Sequence, residues 1–234
     1  DVYKRQRMRS AKPKVLHRLA GRSMLQHVVT AVDALGESKK IIVTGHGAPL
    51  VEEQFDYVNT LFVQQKEQLG TAHAVQMALP ALCDDAVVVV LYGDVPLIRP
   101  ATIKRLLQVV GDKSIGLLTI TLDDPQGYGR IVRNSTGAIT SIVEQKDASS
   151  EQLTINEVNT GVLALSAKQL RQWLPKIDNN NAQGEYYLTD LIALAVQADV
   201  AVLSVNPETA AEVEGVNSRL QLSQLERTFQ RQRA

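Results

Sequence analysis

Four segments of this chain carry residue types that can do phosphate and hydroxyl chemistry. In Leu91-Tyr92-Gly93-Asp94-Val95-Pro96 an acidic residue stands just beyond a strongly apolar run, the position where open α/β sheets place their ligands. Asp94 can hold Mg²⁺ there, and Gly93 leaves a ligand room to approach the backbone. A lone Asp at a strand end is otherwise a turn residue; the flanking pattern favours the metal. Lys12-Pro13-Lys14 sets two cations close together on an extended backbone, and lysine meets a phosphate as a mobile point charge. A solvated basic turn is the plain alternative.

The third segment runs from Gln65 to His73, where Gly70-Thr71 reads as the opening of a helix after a strand. Backbone amides at such a place can take an anion or a base carbonyl, and an ordinary Thr cap accounts for the same residues equally well. The fourth is a dense polar set: Gly127-Tyr-Gly-Arg130, Glu144, Asn159-Thr-Gly161, Asn179 to Tyr187, and Glu214-Gly-Val-Asn217. Amides and carboxylates in such numbers suit sugar hydroxyls. Asn217 also precedes a helical pattern and is a preferred N-cap residue. His73 reads as a helix packing residue, Cys83 as a small buried apolar group, and the Arg-rich C-terminal helix as a solvated face.

The elements that must position these residues alternate between short β-branched runs and helical periods, the pattern of a sheet covered by helices with parallel strands. Leu25, Val28, Val29 and Val32 recur at helical spacing before Gly36, and Ile41 to Thr44 follows as a buried strand. A strand from Val58 to Val63 leads to a helix after Thr71, and the run Ala86 to Leu91 is the clearest central strand. Ile103, Leu106, Leu107 and Val110 form a helical stripe that Gly111 ends, and Ile115 to Leu122 is the next strand. From Arg130 the texture changes: Arg130 to Val132 and Ala138 to Glu144 flank an Asn-Ser-Thr-Gly stretch that suits a hairpin, so antiparallel strands enter. Gly161 to Leu165 is a strand, Ser166 caps a helix holding Trp173, Leu188 to Ala198 is a helix, and Val200 to Val205 closes the sheet. Leu222, Leu225 and Phe229 share one face of a last helix that runs into Arg231 and Arg233 without a stop signal.

Composition bounds what these elements can do. At 234 residues and 44% hydrophobic content the chain can form one large α/β domain, and no repeat or low-complexity linker suggests a second. Lys plus Arg and Asp plus Glu both number 25, so no overall basic field favours nucleic acid, and a phosphate must meet a local site. One cysteine excludes an internal disulfide framework, and the four histidines lack the pairing of a zinc site, in keeping with a reducing cytoplasm. No run reaches the roughly 18 apolar residues of a membrane span.

Taken in order, Ser10 to His17, Gln68 to Thr71, Leu91 to Leu97, Asp124 to Arg130, Asn179 to Asp190 and Val213 to Leu222 resemble the uridylyltransferase family found in the bifunctional bacterial enzymes that make UDP-N-acetylglucosamine. The resemblance covers nearly everything after Arg7. Relatives that activate glucose-1-phosphate or make dTDP-sugars share the Lys-Pro element, but the Asn-rich and Glu-Gly-Val-Asn segments are not expected in them. The resemblance implies a doubly wound, Rossmann-like α/β fold with a mixed sheet, of nucleotide-diphospho-sugar transferase type. It implies transfer of UMP from UTP to N-acetylglucosamine-1-phosphate, giving UDP-N-acetylglucosamine and pyrophosphate for cell-wall and lipopolysaccharide precursors.

By that resemblance Gln65, Gly70 and Thr71 contact uracil, and Tyr92, Gly93 and Asp94 lie beside the ribose and phosphates. Gly129, Glu144 and Asn159 hold N-acetylglucosamine, Asp94 and Asn217 share Mg²⁺, and Lys14 and Arg7 are catalytic cations on the triphosphate. The family opens with an apolar strand and a Leu-Ala-Ala-Gly-x-Gly-Thr-Arg-Met loop, of which only Arg7-Met8 match. Residues 1–6 are therefore expected to be non-family sequence, and 7–234 a nucleotidyltransferase domain without its first strand and glycine loop. The family's acetyltransferase domain, through which full-length members are expected to form homotrimers, is likewise expected to be missing. Two alternatives remain: a non-catalytic sugar-nucleotide-binding fragment, and uridylyl or thymidylyl transfer to another sugar-1-phosphate.

Overall fold

The computed structural model describes residues 8, 10, 12–55 and 59–232; Arg7 and the expected strand start at Val58 lie outside them. The chain packs as two compact units interleaved in sequence. The first comprises Asp1–Gln64, Leu91–Ile103 and Glu208–Ala234, the second Gln65–Val90 and Lys104–Pro207.

In the first unit, the short antiparallel pair β1 (Arg18–Leu19) and β2 (Arg22–Ser23) leads into helix Met24–Asp33, which Ser23 caps by accepting from the Gln26 amide. The predicted stripe faces inward: Leu25, Val28 and Val29 are buried, and Leu25 and Val29 pack with Leu16, Val51 and Phe55. Ile42 and Phe62 meet this cluster from β3 (Lys40–Thr44) and β4 (Thr60–Gln64), which pair in parallel with Ile42 opposite Phe62. A second cluster joins Leu19, Met24, Leu97, Val216 and Leu225. Leu222 and Phe229 complete it from helix Arg219–Arg231, the face read from the sequence.

The second unit is built on one six-stranded sheet. The order is β10 (Ala201–Val205), β6 (Ser114–Thr121), β9 (Glu157–Ser166), β7 (Arg130–Arg133), β8 (Ile139–Val143), with β5 (Val87–Val90) also paired to β9. β6 and β10 run parallel, and the other pairings are antiparallel, so the sheet is mixed. The hairpin β7–β8 turns where expected: Asn134 Oδ1 accepts from the Thr136 and Ala138 amides, and Gly137 takes φ +83°. Ser166 and Gln169 form a reciprocal capping box on helix Ala167–Trp173. That helix and Asp190–Gln197 bury Leu170, Trp173, Leu191 and Ile192 against Ile115, Leu117 and Leu165 of the sheet.

Three expectations are corrected. The valine run of β5 is not a central parallel strand: among the described residues it pairs only with β9, antiparallel, and Val87 is 52% exposed. A continuous apolar run suggests a strand buried on both faces of a parallel sheet, but it names no partner, and here the run pairs antiparallel and is only partly buried. β9 begins four residues before Gly161, because pairing of Thr121 with Glu157 and Thr119 with Asn159 draws polar residues into the ladder. Cys83 is exposed rather than buried; it sits in a turn whose Ala86 amide donates to its carbonyl, beside Asp84 and Asp85, while its neighbour Leu82 takes the place against the core.

Candidate functional site

In the first unit, Pro13 holds the backbone extended (φ −50°, ψ 137°) before a 3₁₀ turn Lys14–Leu16 whose Leu16 is 1% exposed. Gly47 makes room for this segment: a Cβ there would lie 2.8 Å from Pro13 Cγ, and its φ is +79°. With Leu16 anchored, Lys14 projects its ammonium onto two acceptors. Nζ forms an ion pair with the Asp94 carboxylate and donates to Asn217 Oδ1 at 3.0 Å. Residues 80 and 203 positions away in sequence thus aim two oxygens at one cationic point.

The loops bearing those oxygens are tied together through the backbone, since the Val216 amide donates to the Asp94 carbonyl at 3.0 Å. Asn217 is not the helix cap, as its sequence position allowed. Ser218 is, accepting from the Gln221 amide, while Gln221 Oε1 accepts from the Asn217 amide at 2.8 Å. Because Ser218 takes the cap, the Asn217 side chain is left to Lys14. Upstream, Glu212 is 1% exposed and accepts from Thr102 Oγ1 (2.5 Å) and the Glu208 and Thr209 amides (2.9 and 3.2 Å), with Arg99 Nε at 3.9 Å. Sequence reading missed Glu212 and Gln221, although Ser218-x-x-Gln221 is a legible capping-box pattern; in the structure the Gln221 side chain accepts from Asn217, one residue before the cap. Gly93 has a structural cause as well: a Cβ would press on Leu25 and Val15 at 3.2 Å. Tyr92 accepts from the Val95 amide in the same turn.

In the second unit, Gln65 and the Gly70-Thr71 segment come together. Gln65 Nε2 lies 3.0 Å from the Gly70 carbonyl oxygen and 3.0 Å from His73 Nδ1. Gly70 adopts φ +123°, and a Cβ on it would sit 2.5 Å from the Tyr186 carbonyl oxygen, so only glycine fits. Thr71 does not cap helix Thr71–Ala78; it is the first helical residue, and its Oγ1 accepts from the Leu188 amide at 3.0 Å. Tyr186 continues the seam, donating to Leu69 and accepting from Ala72. His73, read as a packing residue, is instead a hydrogen-bond partner of Gln65; a His three residues into a helix gives no signal of that in sequence.

The same unit gathers Gly129, Glu144 and Asn159. The Asn159 amide donates to the Gly129 carbonyl at 2.9 Å, and a Cβ on Gly129 would lie 3.3 Å from Glu144 Oε1. Glu144 accepts from Thr189 Oγ1 at 3.2 Å. Burial pushes its carboxyl above the ordinary range, partly offset by the Thr189 bond and reinforced by Asp147 and Asp190. Asp190 is raised too, by burial and then by Asp178 and Asp147. The Asn-rich segment is turned largely on itself: Asn181 donates to the Glu185 carbonyl and accepts from the Gln183 and Glu185 amides, and Asn179 donates to the Gly184 carbonyl. Arg130, 3% exposed, donates to the Tyr128 carbonyl and so holds its own turn.

Among the described residues no group of three or more His, Cys, Asp or Glu could hold a metal by itself. No helix among them is long and apolar enough to cross a membrane.

Solved structures share this fold. A UDP-glucose pyrophosphorylase complexed with UDP-glucose superimposes with TM-score 0.76 at 15% identity, covering 94% of this chain and 91% of that one. A nucleotidyl transferase from Methanothermobacter thermautotroptrophicus gives 0.65 at 21%, covering 94% and 86%. Curated relatives are much nearer in sequence. The bifunctional protein GlmU of Marinobacter nauticus is 54% identical over 228 residues, 97% of this chain and 50% of that protein. GlmU of Pseudomonas putida is 55% identical over 224 residues, 96% and 49%. The chain thus spans about half the length of the curated relatives it matches. With the mixed α/β fold and the Lys14, Asp94 and Asn217 cluster in place, the match of residues 5–151 to the corresponding family model settles kinship: the chain belongs to the MobA-like NTP transferase domain family.

Proposed function

We propose that this chain is a uridylyltransferase module, moving UMP from UTP to N-acetylglucosamine-1-phosphate and releasing pyrophosphate. The observation that carries this reading is the convergence of Asp94 and Asn217 on the Lys14 ammonium. Two oxygen donors already arranged around a positive charge fit Mg²⁺, which binds through one or two protein oxygens and completes its shell with phosphates and water. When bound there, the metal would supply charge neutralisation on the triphosphate.

The protein's own groups do the rest. A phosphate oxygen of the sugar phosphate attacks the α-phosphorus of UTP; the new P–O bond forms as the bond to the β-phosphate oxygen breaks, and the electron pair leaves with pyrophosphate. The nucleophile is ionised at neutral pH, so no general base is required. What the reaction needs is alignment of two anions and stabilisation of the departing charge. Lys14 is suited to this as a mobile point charge. Gln65, Gly70 and Thr71 serve the uracil, Tyr92 and Gly93 the ribose and phosphates, and Gly129, Glu144 and Asn159 the N-acetylglucosamine. Arg7 is proposed as a second cation on the triphosphate. The high identity to proteins named GlmU supports this sugar over other sugar phosphates.

The test is magnesium-dependent pyrophosphate release from UTP and N-acetylglucosamine-1-phosphate, beside glucose-1-phosphate. Release with the first sugar and little with the second supports the proposal. Tight UDP-N-acetylglucosamine binding without any release would favour a binding module instead.

A further inference from the structure

We infer that His73 sets the base preference of the nucleotide site by fixing the amide of Gln65. This rests on the reading that Gln65, Gly70 and Thr71 face the nucleobase.

The geometry determines which way the Gln65 amide points. The atom 3.0 Å from the Gly70 carbonyl oxygen is the amide nitrogen, since a carbonyl oxygen only accepts and a flipped amide would set two oxygens against each other. The same nitrogen lies 3.0 Å from His73 Nδ1. Nε2 is a donor only, so Nδ1 accepts its second hydrogen, and the imidazole carries its proton on the other ring nitrogen. Both donors of the amide are then engaged inside the protein, leaving Oε1 as the one polar group that Gln65 offers a ligand.

An acceptor held in a fixed direction discriminates between pyrimidines. Uracil carries N3–H and pairs with it; cytosine carries a bare lone pair at N3, which meets Oε1 with repulsion and leaves it unsatisfied. The arrangement stands on a firm platform. His73 is in the first turn of helix Thr71–Ala78, whose Ala74 amide also donates to the Gly70 carbonyl at 3.2 Å. The Ala72 amide bonds to the Tyr186 carbonyl at 2.9 Å, and Thr71 Oγ1 accepts from Leu188 at 3.0 Å. Without His73 one hydrogen of Nε2 is released, and the amide, held by a single bond, can swing to present a donor to cytosine.

The test is isothermal titration of UTP and CTP against the chain, its His73→Phe variant and its His73→Asn variant. The unaltered chain should prefer UTP. His73→Phe keeps the ring volume but removes the acceptor, and should reduce the preference on the order of tenfold. His73→Asn, whose side-chain oxygen can replace Nδ1, should restore most of it. A purely structural role would weaken both nucleotides alike and leave the ratio unmoved. If the unaltered chain binds neither nucleotide or does not distinguish them, the nucleobase reading itself fails. If it distinguishes them and His73→Phe keeps the ratio, the reading stands and the role of His73 is overturned. Nitrogen-15 NMR of the unliganded chain at mildly alkaline pH gives a check that needs no variant: Nδ1 of His73 should be the unprotonated nitrogen, and a proton found there would overturn the inference.

Discussion

Asp94 and Lys14 form an ion pair whose side chains keep 19% and 35% of their exposure, so water screens much of its contribution to folding. The same pair stands where negative charge moves during the proposed reaction. Asp94→Ala should therefore lower turnover on the order of a hundredfold or more while costing less than about 1 kcal/mol of stability. Pyrophosphate release and urea unfolding of the variant decide this, and comparable losses in both would sink the metal role. Glu144 makes the opposite case, a carboxylate whose burial works against folding. Its pKa is raised, so its contribution to stability is fully present below the ordinary value of 4.5 and is lost as pH rises through the raised value. Glu144→Gln still accepts from Thr189 and has no proton to lose. In urea unfolding across pH, the variant should gain on the native chain as pH climbs from acid to neutral. A constant difference would mean that the Glu144 carboxyl is not raised in the folded chain.

At the level of elements, the helix face of Leu222, Leu225 and Phe229, the Asn134–Gly137 hairpin and the Ser166 cap were all legible, because each is written in local spacing or turn chemistry. Strand partners were not, and neither were the contacts that aim a side chain across long sequence separations. Lys14, Asp94 and Asn217 could be picked out by type, but only the fold brings them to one point. The end of helix Arg219–Arg231 offers a way to separate holding a helix from aiming a ligand. Ser218 and Gln221 make the two halves of one capping arrangement, yet only Gln221 bonds the Asn217 amide. Ser218→Ala and Gln221→Ala should each cost about 1 kcal/mol of stability. Gln221→Ala alone should raise the magnesium concentration needed for half-maximal activity, because it frees the backbone that carries Asn217. Equal magnesium curves for the two variants would show that the cap, not the aim, is what matters.

For the molecule as a whole, balanced charge and scarce aromatics were plain in the sequence, whereas the two units were not. Their boundary at Ile103 and Lys104 falls inside helix Pro100–Gln108, so no linker composition marks it. The single tryptophan, Trp173, is 2% exposed in the core of the second unit, the unit that holds Gln65, Gly70, Thr71, Glu144 and Asn159. Its fluorescence therefore reports the unfolding of the unit proposed to hold base and sugar. A ligand that binds only the folded chain stabilises it by RT ln(1 + [L]/Kd), about 2.7 kcal/mol at a hundredfold excess over Kd. For a chain of this size that is a rise of roughly 5–10 °C in the Trp173 midpoint with UDP-N-acetylglucosamine present. UDP alone, lacking the sugar that Gly129, Glu144 and Asn159 would hold, should raise it less at the same concentration. Equal shifts for the two would remove the sugar subsite while leaving the uracil one, and no shift with either would remove both.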